Sequence, residues 1–497
     1  MRIREVGTGS GKRALQVVSK QDGKLTVHRH IGSFENSEER SKLYEEGASY
    51  IREKSGQKNL FDLLNSIRPG EIKITQSRPL FAYRLLSSIY DKIGFNKYPD
   101  AAIKDLVIAR IYYPTSKIES QEILSEFFGR HYGINTLYRH MKQGLKSGLK
   151  EAFQKSLVEF ARKDLKDELQ LVFYDVTTLY FESTVRSGLR DCGFSKDHRI
   201  QETQIVIGLV VNRQGFPLCF DVFQGNTFEG HTFIPVIEKI KELLGNPKLI
   251  VVADAAMISQ KNIDALLERQ IEFIVGARIA NLPMPMINTV SEKLSEKDGA
   301  TFCLDYRQQR LVCSYSSKRA SKDRSDREKQ ISKAKQLLDS SNGLGRRYRF
   351  IKVLNRKHRL NTELITKAQK LEGIKGYLTN TTLPEASVIE RYQDLWRIEN
   401  SFRISKSDLK ARPIFHRLDE AIQAHLVIVF AGLAISRYLE MNSGLSINKI
   451  LKIARKILTH SVLNPKTGES AFIETTIEDP VIQSHINQLK VLGTLNG

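Results

Sequence analysis

Leu171-Val-Phe-Tyr-Asp175 and Leu249-Ile-Val-Val-Ala-Asp254 are the two stretches whose reading decides the fold. Each is a short apolar run, rich in β-branched or aromatic residues, that ends on a carboxylate. Runs this short and this continuous read as strands covered on both faces, the way strands sit in an α/β sheet. Their surroundings agree. Residues 204–212 and 218–223 read as a strand pair about Arg213-Gln-Gly-Phe-Pro217, 231–244 and 260–268 have helical spacing, and 271–275 is a further strand. A hairpin followed by strand, helix and strand predicts an α/β fold, a mixed sheet with flanking helices, which resumes at Gly376-Tyr-Leu-Thr-Asn380.

Away from these runs the pattern changes. Residues 1–35 read as a β-hairpin turning at Gln21-Asp22-Gly23. Residues 36–167 read as a mainly helical region, with apolar residues at i, i+3, i+4 and i+7 in 80–93, 101–113 and 149–165. Residues 281–360 interrupt the α/β rhythm with Pro283, Pro285, strand-like pieces at 300–305 and 310–315, and a dense basic run. From Lys318 to Arg359 there are 15 Lys or Arg against 4 Asp or Glu, about half the excess charge of the whole chain. This segment therefore reads as a β-rich basic insertion inside one domain made of 168–280 and 361–440. A helical tail, 441–497, follows. Residues 383–407 read as one long helix, with Thr382 and Glu385 as a capping box and Pro384 in the first turn.

Composition narrows the function. The chain has 497 residues, 41% hydrophobic and 27% charged, which is too apolar for a disordered protein. Lys and Arg number 77 against 56 Asp and Glu, a net +21. A surface this basic repels itself unless an anion lies against it, and the common anions are nucleic acid and acidic lipid. The start, Met1-Arg-Ile-Arg-Glu5, opens no apolar leader, and the longest apolar run, Leu426 to Ile435, falls far short of the roughly 20 residues that span a bilayer. The expectation is a protein that needs no membrane. Cys192, Cys219, Cys303 and Cys313 show no CxxC spacing and fit a reducing cytoplasm. Gly7-Thr-Gly-Ser-Gly-Lys12 is not a phosphate-binding loop, because Val6 stands at the first glycine position and Arg13 at the required hydroxyl.

Three acidic residues stand out by position. Asp175 and Asp254 close apolar strands, where α/β sheets collect ligands. Glu399 lies in the 383–407 helix, where Tyr392, Trp396, Glu399, Phe402, Arg403 and Lys406 recur at three- and four-residue spacing. Packing through Trp396 and Phe402 would aim Glu399 at the sheet edge. Two unit charges about 4 Å apart repel by on the order of 4 kcal/mol at an effective dielectric of about 20. Three carboxylates therefore converge stably only around cations, and hard oxygen donors select Mg²⁺ or Mn²⁺. Such a pair of ions serves phosphodiester chemistry, and the basic surface supplies grip on the polymer. The plain alternatives are a strand-end Asp that caps a turn and a Glu399–Arg403 helical ion pair.

Tyr174-Asp-Val-Thr-Thr-Leu-Tyr-Phe-Glu182, Val252-Ala-Asp-Ala-Ala-Met-Ile-Ser259 and Tyr392-Gln-Asp-Leu-Trp-Arg-Ile-Glu-Asn-Ser-Phe-Arg-Ile-Ser-Lys406 resemble the three acidic blocks of DDE transposases. The resemblance is to the IS4-type group and most of all to its IS1634-like branch. It extends to Arg412-Pro-Ile-Phe-His416 and to Ala421-Ile-Gln-Ala-His425. It implies a ribonuclease-H-like catalytic domain with an insertion between the second Asp and the Glu. It also implies that Asp175, Asp254 and Glu399 are the catalytic ligands of two divalent ions, Mg²⁺ or Mn²⁺. The family spacing around the Glu places Tyr392 and Lys406 against DNA. Its arginine position holds Leu395 here, which leaves Arg397 and Arg403 as neighbouring cations for that role. The implied activity is that of an insertion-sequence transposase acting as a dimer. It binds terminal inverted repeats through the helical region, cuts one strand at each end, and uses the freed 3′-hydroxyl for strand transfer into target DNA. A metal-dependent nuclease without strand transfer, or an inactive DNA-binding remnant, are the other readings of the same residues.

Overall fold

The computed structural model describes residues 2–7, 13–21, 24–34, 36–54, 73–194, 201–245, 248–257, 259–294, 297–339, 348–354, 357–465 and 468–493. They form two units, Met1–Tyr83 with Lys452–Asn487, and Arg84–Leu451 with Gln488–Gly497.

In the first unit the expected hairpin is β2 (Arg13–Gln21) with β3 (Lys24–Phe34), and its turn residues Asp22 and Gly23 lie outside the described residues. A further strand, β1 (Arg2–Gly7), pairs antiparallel with β2. Ala14, Leu15, Val17 and Val18 are buried, and the Ser37–Lys54 helix packs on this sheet. A second small sheet joins β4 (Lys73–Arg78) to Thr459–Leu463, which pairs in turn with Ser470–Glu474. The segment 441–497 is thus not wholly helical. The helical spacing stops at Ala454, and the β-branched Thr459 and Val462 turn inward from a strand.

The second unit is built on an eight-stranded mixed sheet. Its strands are β5 (Leu171–Tyr180), β6 (Gln204–Asn212), β7 (Pro217–Gln224), β8 (Ile250–Ala253), β9 (Glu272–Ala277), β10 (Thr301–Tyr306), β11 (Gln309–Tyr315) and, after a separate hairpin of β12 (Ile351–Leu354) and β13 (Lys357–Leu360), β14 (Ile374–Thr379). The order is β10-β11-β14-β9-β8-β5-β6-β7. β5, β8 and β9 run parallel, and every other neighbour is antiparallel. The run β7-β6-β5-β8-β9, an antiparallel meander that crosses over into two parallel strands, is the ribonuclease-H-like arrangement.

Alternation decides what each face of the sheet carries. Tyr174 turns to one side, where its hydroxyl meets Thr232 Oγ1 at 2.6 Å and its ring meets Phe233 on the Glu229–Leu244 helix. Thr177 and Leu179 turn to the other side and line a small apolar cavity with Phe402, Leu426 and Phe430. Asp175 shares their parity and so belongs to that second face. The Asp419–Ser443 helix that covers it is apolar and long enough to cross a bilayer by composition, yet 94% of its most apolar window is buried.

Three expectations need correcting. Asp175 does not end its strand, because Val176–Tyr180 continues to pair with β6 after β8 has stopped at Ala253. The segment 281–360 is not mainly β. β10 and β11 extend the main sheet, and the first half of the basic run forms the 23-residue Ser317–Asp339 helix, as its Lys, Arg, Gln and Ala content favours. Nor is 383–407 one helix. It divides into Glu385–Gln393, Trp396–Arg403 and a π-helical turn over Ile404–Asp408.

Candidate active site

The last registered pair between the parallel strands β5 and β8 is Tyr174 with Ala253. One residue further on, the chain carries Asp175 on one side and Asp254 on the other. Neighbouring strands lie about 4.8 Å apart, so Asp175, still within β5, and Asp254, just past the end of β8, stand side by side. Asp175 is half-buried and Asp254 is exposed. Each bends back onto the next backbone amide, Asp175 Oδ1 accepting from Val176 N and Asp254 Oδ1 from Ala255 N, both at 2.7 Å.

Tyr392 comes to Asp254 from the end of the Glu385–Gln393 helix. Its buried hydroxyl donates to Asp254 Oδ1 at 2.9 Å. The approach depends on Gly276 in β9, because any Cβ there would collide with the Tyr392 hydroxyl. Burial, reinforced by Asp254, raises the phenol far above its ordinary pKa and keeps it a donor.

Glu399 is exposed on the Trp396–Arg403 helix. The inner face of that helix is Ile398, Ser401 and Phe402, and Ser401 Oγ fastens it to Gly215 O at 2.9 Å. Trp396 faces outward, 55% exposed beneath the Arg397 guanidinium, so it does not serve as the expected packing anchor. The reason is the break before it. At that break Asp394 receives Arg397 at 3.0 Å and Arg213 at 3.6 Å. Among the described residues no cation pairs with Glu399. Arg403, the i+4 candidate, bonds Asn400 Oδ1 at 2.8 Å and Asp408 at 3.4 Å instead.

A residue that the sequence reading missed links these groups. Lys375, in β14, holds its ammonium 4.5 Å from the centre of the Tyr392 ring and 5.6 Å from that of Tyr377. Burial and Arg319 lower its pKa, while Asp254 and Glu399 act in the opposite direction. Lys375 is therefore within electrostatic reach of both carboxylates. Its signal was the alternation of Lys375 with Tyr377 along an inward-facing edge of the strand, hidden because the strand begins at Ile374 and not at Gly376.

The other cations expected at DNA are differently placed. Arg397 is occupied by Asp394 and Trp396. Arg403 is exposed. Lys406, in the π-helical turn, lines the same cavity as Thr177 and Leu179, on the face of β5 that carries Asp175.

The donor set suits a hard divalent ion. Asp254 uses only Oδ1 in its hydrogen bonds, Glu399 has no competing cation among the described residues, and all three residues offer carboxylate oxygen. Among the described residues, however, no three His, Cys, Asp or Glu side chains are already gathered into a metal-holding group. Unscreened carboxylates repel, so such side chains are not expected to close on one another before a cation binds.

Residues 167–435, more than half of the chain, match the family model described as the transposase DDE domain. No curated protein matches the chain. Among solved structures, it is similar to a piggyBac transposase seen by cryo-EM in a synaptic complex with hairpin DNA. The identity is 11% and the TM-score 0.39, over 83% of this chain and 85% of that one, a likeness too loose to inform the site.

Proposed function

This chain belongs to the transposase DDE-domain family, and we propose that it is the transposase of an insertion sequence, of the IS4-type group and its IS1634-like branch. Members of this family are phosphoryl-transfer enzymes that use divalent metal ions. The observation that supports the proposal is that Asp175 and Asp254 stand at matching positions of the adjacent parallel strands β5 and β8, with Lys375 within electrostatic reach of both Asp254 and Glu399.

In this reading Asp175, Asp254 and Glu399 hold two Mg²⁺ or Mn²⁺ ions. Bound there, the ions would lower the pKa of the attacking hydroxyl or water and offset charge on the leaving oxygen. The chain's own groups do the rest. Tyr392 fixes the Asp254 carboxylate and, being buried, acts on that carboxylate and not on DNA. Lys375 screens Asp254 from Glu399. Arg403 and Lys406 supply positive charge beside the reacting strand, and Arg397 braces the helix that bears Glu399.

The excess of cations fits DNA as partner, with terminal inverted repeats bound through the helical region 36–167 and DNA also contacted by the basic 281–360 segment. Joining two element ends calls for a homodimer in the complex. Cys192, Cys219, Cys303 and Cys313 are all free, which suits a reducing cytoplasm.

The test is an assay of the purified protein on duplexes carrying the element ends, with Mg²⁺ or Mn²⁺. Cleavage followed by joining to target DNA supports the proposal. Cleavage without joining points to a nuclease, and binding without cleavage to an inactive remnant.

A further inference from the structure

A second concentration of charge lies in the same unit, away from the carboxylates. An open cleft is lined by Arg110, Lys117, Lys410, Arg412, His416 and His425, among others, and by none of Asp175, Asp254 or Glu399. Arg110 comes from the Ala101–Tyr112 helix, Lys117 opens the Lys117–Phe128 helix, and His425 comes from the Asp419–Ser443 helix.

Burial there is severe for groups of this kind. Arg110 is 4% exposed, Lys117 3% and His425 4%. Arg110 Nε, Lys117 Nζ and His425 Nδ1 are buried with no hydrogen-bond partner among the described residues. Buried cations are ordinarily paired, and an unpaired one carries a desolvation cost of several kcal/mol. No carboxylate of the cleft lining answers them. The one acidic residue there, Glu119, is exposed. The local field has the matching sign. Burial, followed by Lys117 and Arg110, pushes the His416 imidazole down to about 3, and His425 is also held well below its ordinary value.

Geometry adds a second set of donors. Ser116 caps the Lys117–Phe128 helix by accepting from Glu119 N at 3.2 Å, so the positive end of that 12-residue helix opens onto the same cleft. Arg110 reaches the rim through Nη1, which lies 3.5 Å from Lys410 O.

We propose that this cleft is a phosphate-binding site, in which the Lys117 ammonium and the Arg110 guanidinium receive one phosphate group at the N-terminus of the Lys117–Phe128 helix. The phosphate satisfies the donors that the protein itself leaves unpaired. The source is either a phosphate of bound DNA or free phosphate. The site stands on its own residues and does not depend on the chemistry proposed for the carboxylates.

The experiment is calorimetric titration of the full-length protein with inorganic phosphate. Saturable binding is expected. Lys117→Met and Arg110→Met should each weaken it roughly 10–100-fold, the range set by a charge-assisted hydrogen bond. Lys410→Met, at the exposed rim, is the variant to use if the buried substitutions do not fold, and it should weaken binding in the same direction. A second arm measures binding of a 5′-phosphorylated duplex against salt. If DNA supplies the phosphate, Lys117→Met lowers the log–log salt slope by about one. An unchanged slope with weakened inorganic phosphate binding assigns the site to free phosphate. Absence of saturable phosphate binding in the wild-type protein, or binding equal to wild type in every folded variant, overturns the proposal.

Discussion

The Tyr392 hydroxyl donates to Asp254 Oδ1 at 2.9 Å, joining residues 138 positions apart. The bond holds one carboxylate oxygen of Asp254 and leaves the other open to a cation. Tyr392→Phe keeps the ring against Tyr377 and removes only the donor. A hydrogen bond to a charged group contributes about 1.5–3 kcal/mol, so cleavage should slow by roughly 10–100-fold with little change in fold stability. Gly276→Ala should do at least as much damage, because its Cβ takes the space of that hydroxyl. Single-turnover cleavage rates with and without each change are the measurement. Rates equal to wild type in both variants would show that Tyr392 does not position Asp254.

Asp254→Asn, Asp175→Asn and Glu399→Gln should each abolish strand cleavage and leave duplex binding intact in a gel-shift assay. The same variants test metal binding without relying on activity. A divalent ion that binds only the folded protein stabilises it by about 2.7 kcal/mol at a hundred times its dissociation constant. Wild-type protein should therefore melt at a higher temperature in Mn²⁺ than in its absence, and the three variants should lose most of that increase. An undiminished increase in all three would move the metal site elsewhere.

Much of this site was legible in the sequence because its parts lie on strongly patterned elements. The runs before Asp175 and Asp254 are apolar throughout, as strands covered on both faces must be, so their ends could be located. The break at Asp394-Leu395 could not be read, since no Gly or Pro marks it in the sequence and the Arg213 contact that Asp394 makes there comes from the distant β6–β7 turn. Trp396 misled for a related reason. A lone tryptophan reads as a packing anchor, but the break turns it outward and brings Ile398 and Phe402 inward. The basic segment misled because its charge drew attention away from its helix propensity. β1 escaped notice because Arg2 and Arg4 make a half-exposed edge strand look like a polar terminus.

Lys375 gives a pH dependence with a definite sign. Its folded-state pKa lies below the ordinary 10.5, chiefly through burial. Between the folded and unfolded values the unfolded chain binds more protons, so stability rises with pH across that interval. Below it the ammonium stays charged in both states and its desolvation cost is fully present. Urea unfolding at a series of alkaline pH values up to about 10.5 should show this rise in the wild-type protein and a flatter profile in Lys375→Met. Identical profiles would mean that burial does not hold the folded-state pKa of Lys375 below its ordinary value.

The Ser317–Asp339 helix exposes Lys318, Lys322, Lys329 and Lys333 to solvent, while Arg327 is tied to Glu372 at 2.6 Å and holds the helix in place. Substituting the four lysines with glutamine and sparing Arg327 removes charge without removing that anchor. For each DNA phosphate that a lysine no longer neutralises, the salt slope of duplex binding falls by about 0.9. If the helix lies along DNA, the slope falls by roughly one to three and affinity drops for every sequence alike, because phosphate contacts carry no base information. If it faces solvent in the complex, the slope is unchanged. Fluorescence anisotropy on two unrelated duplexes across a salt series separates these outcomes. A weakening confined to one of the two sequences would instead mean that the helix reads bases.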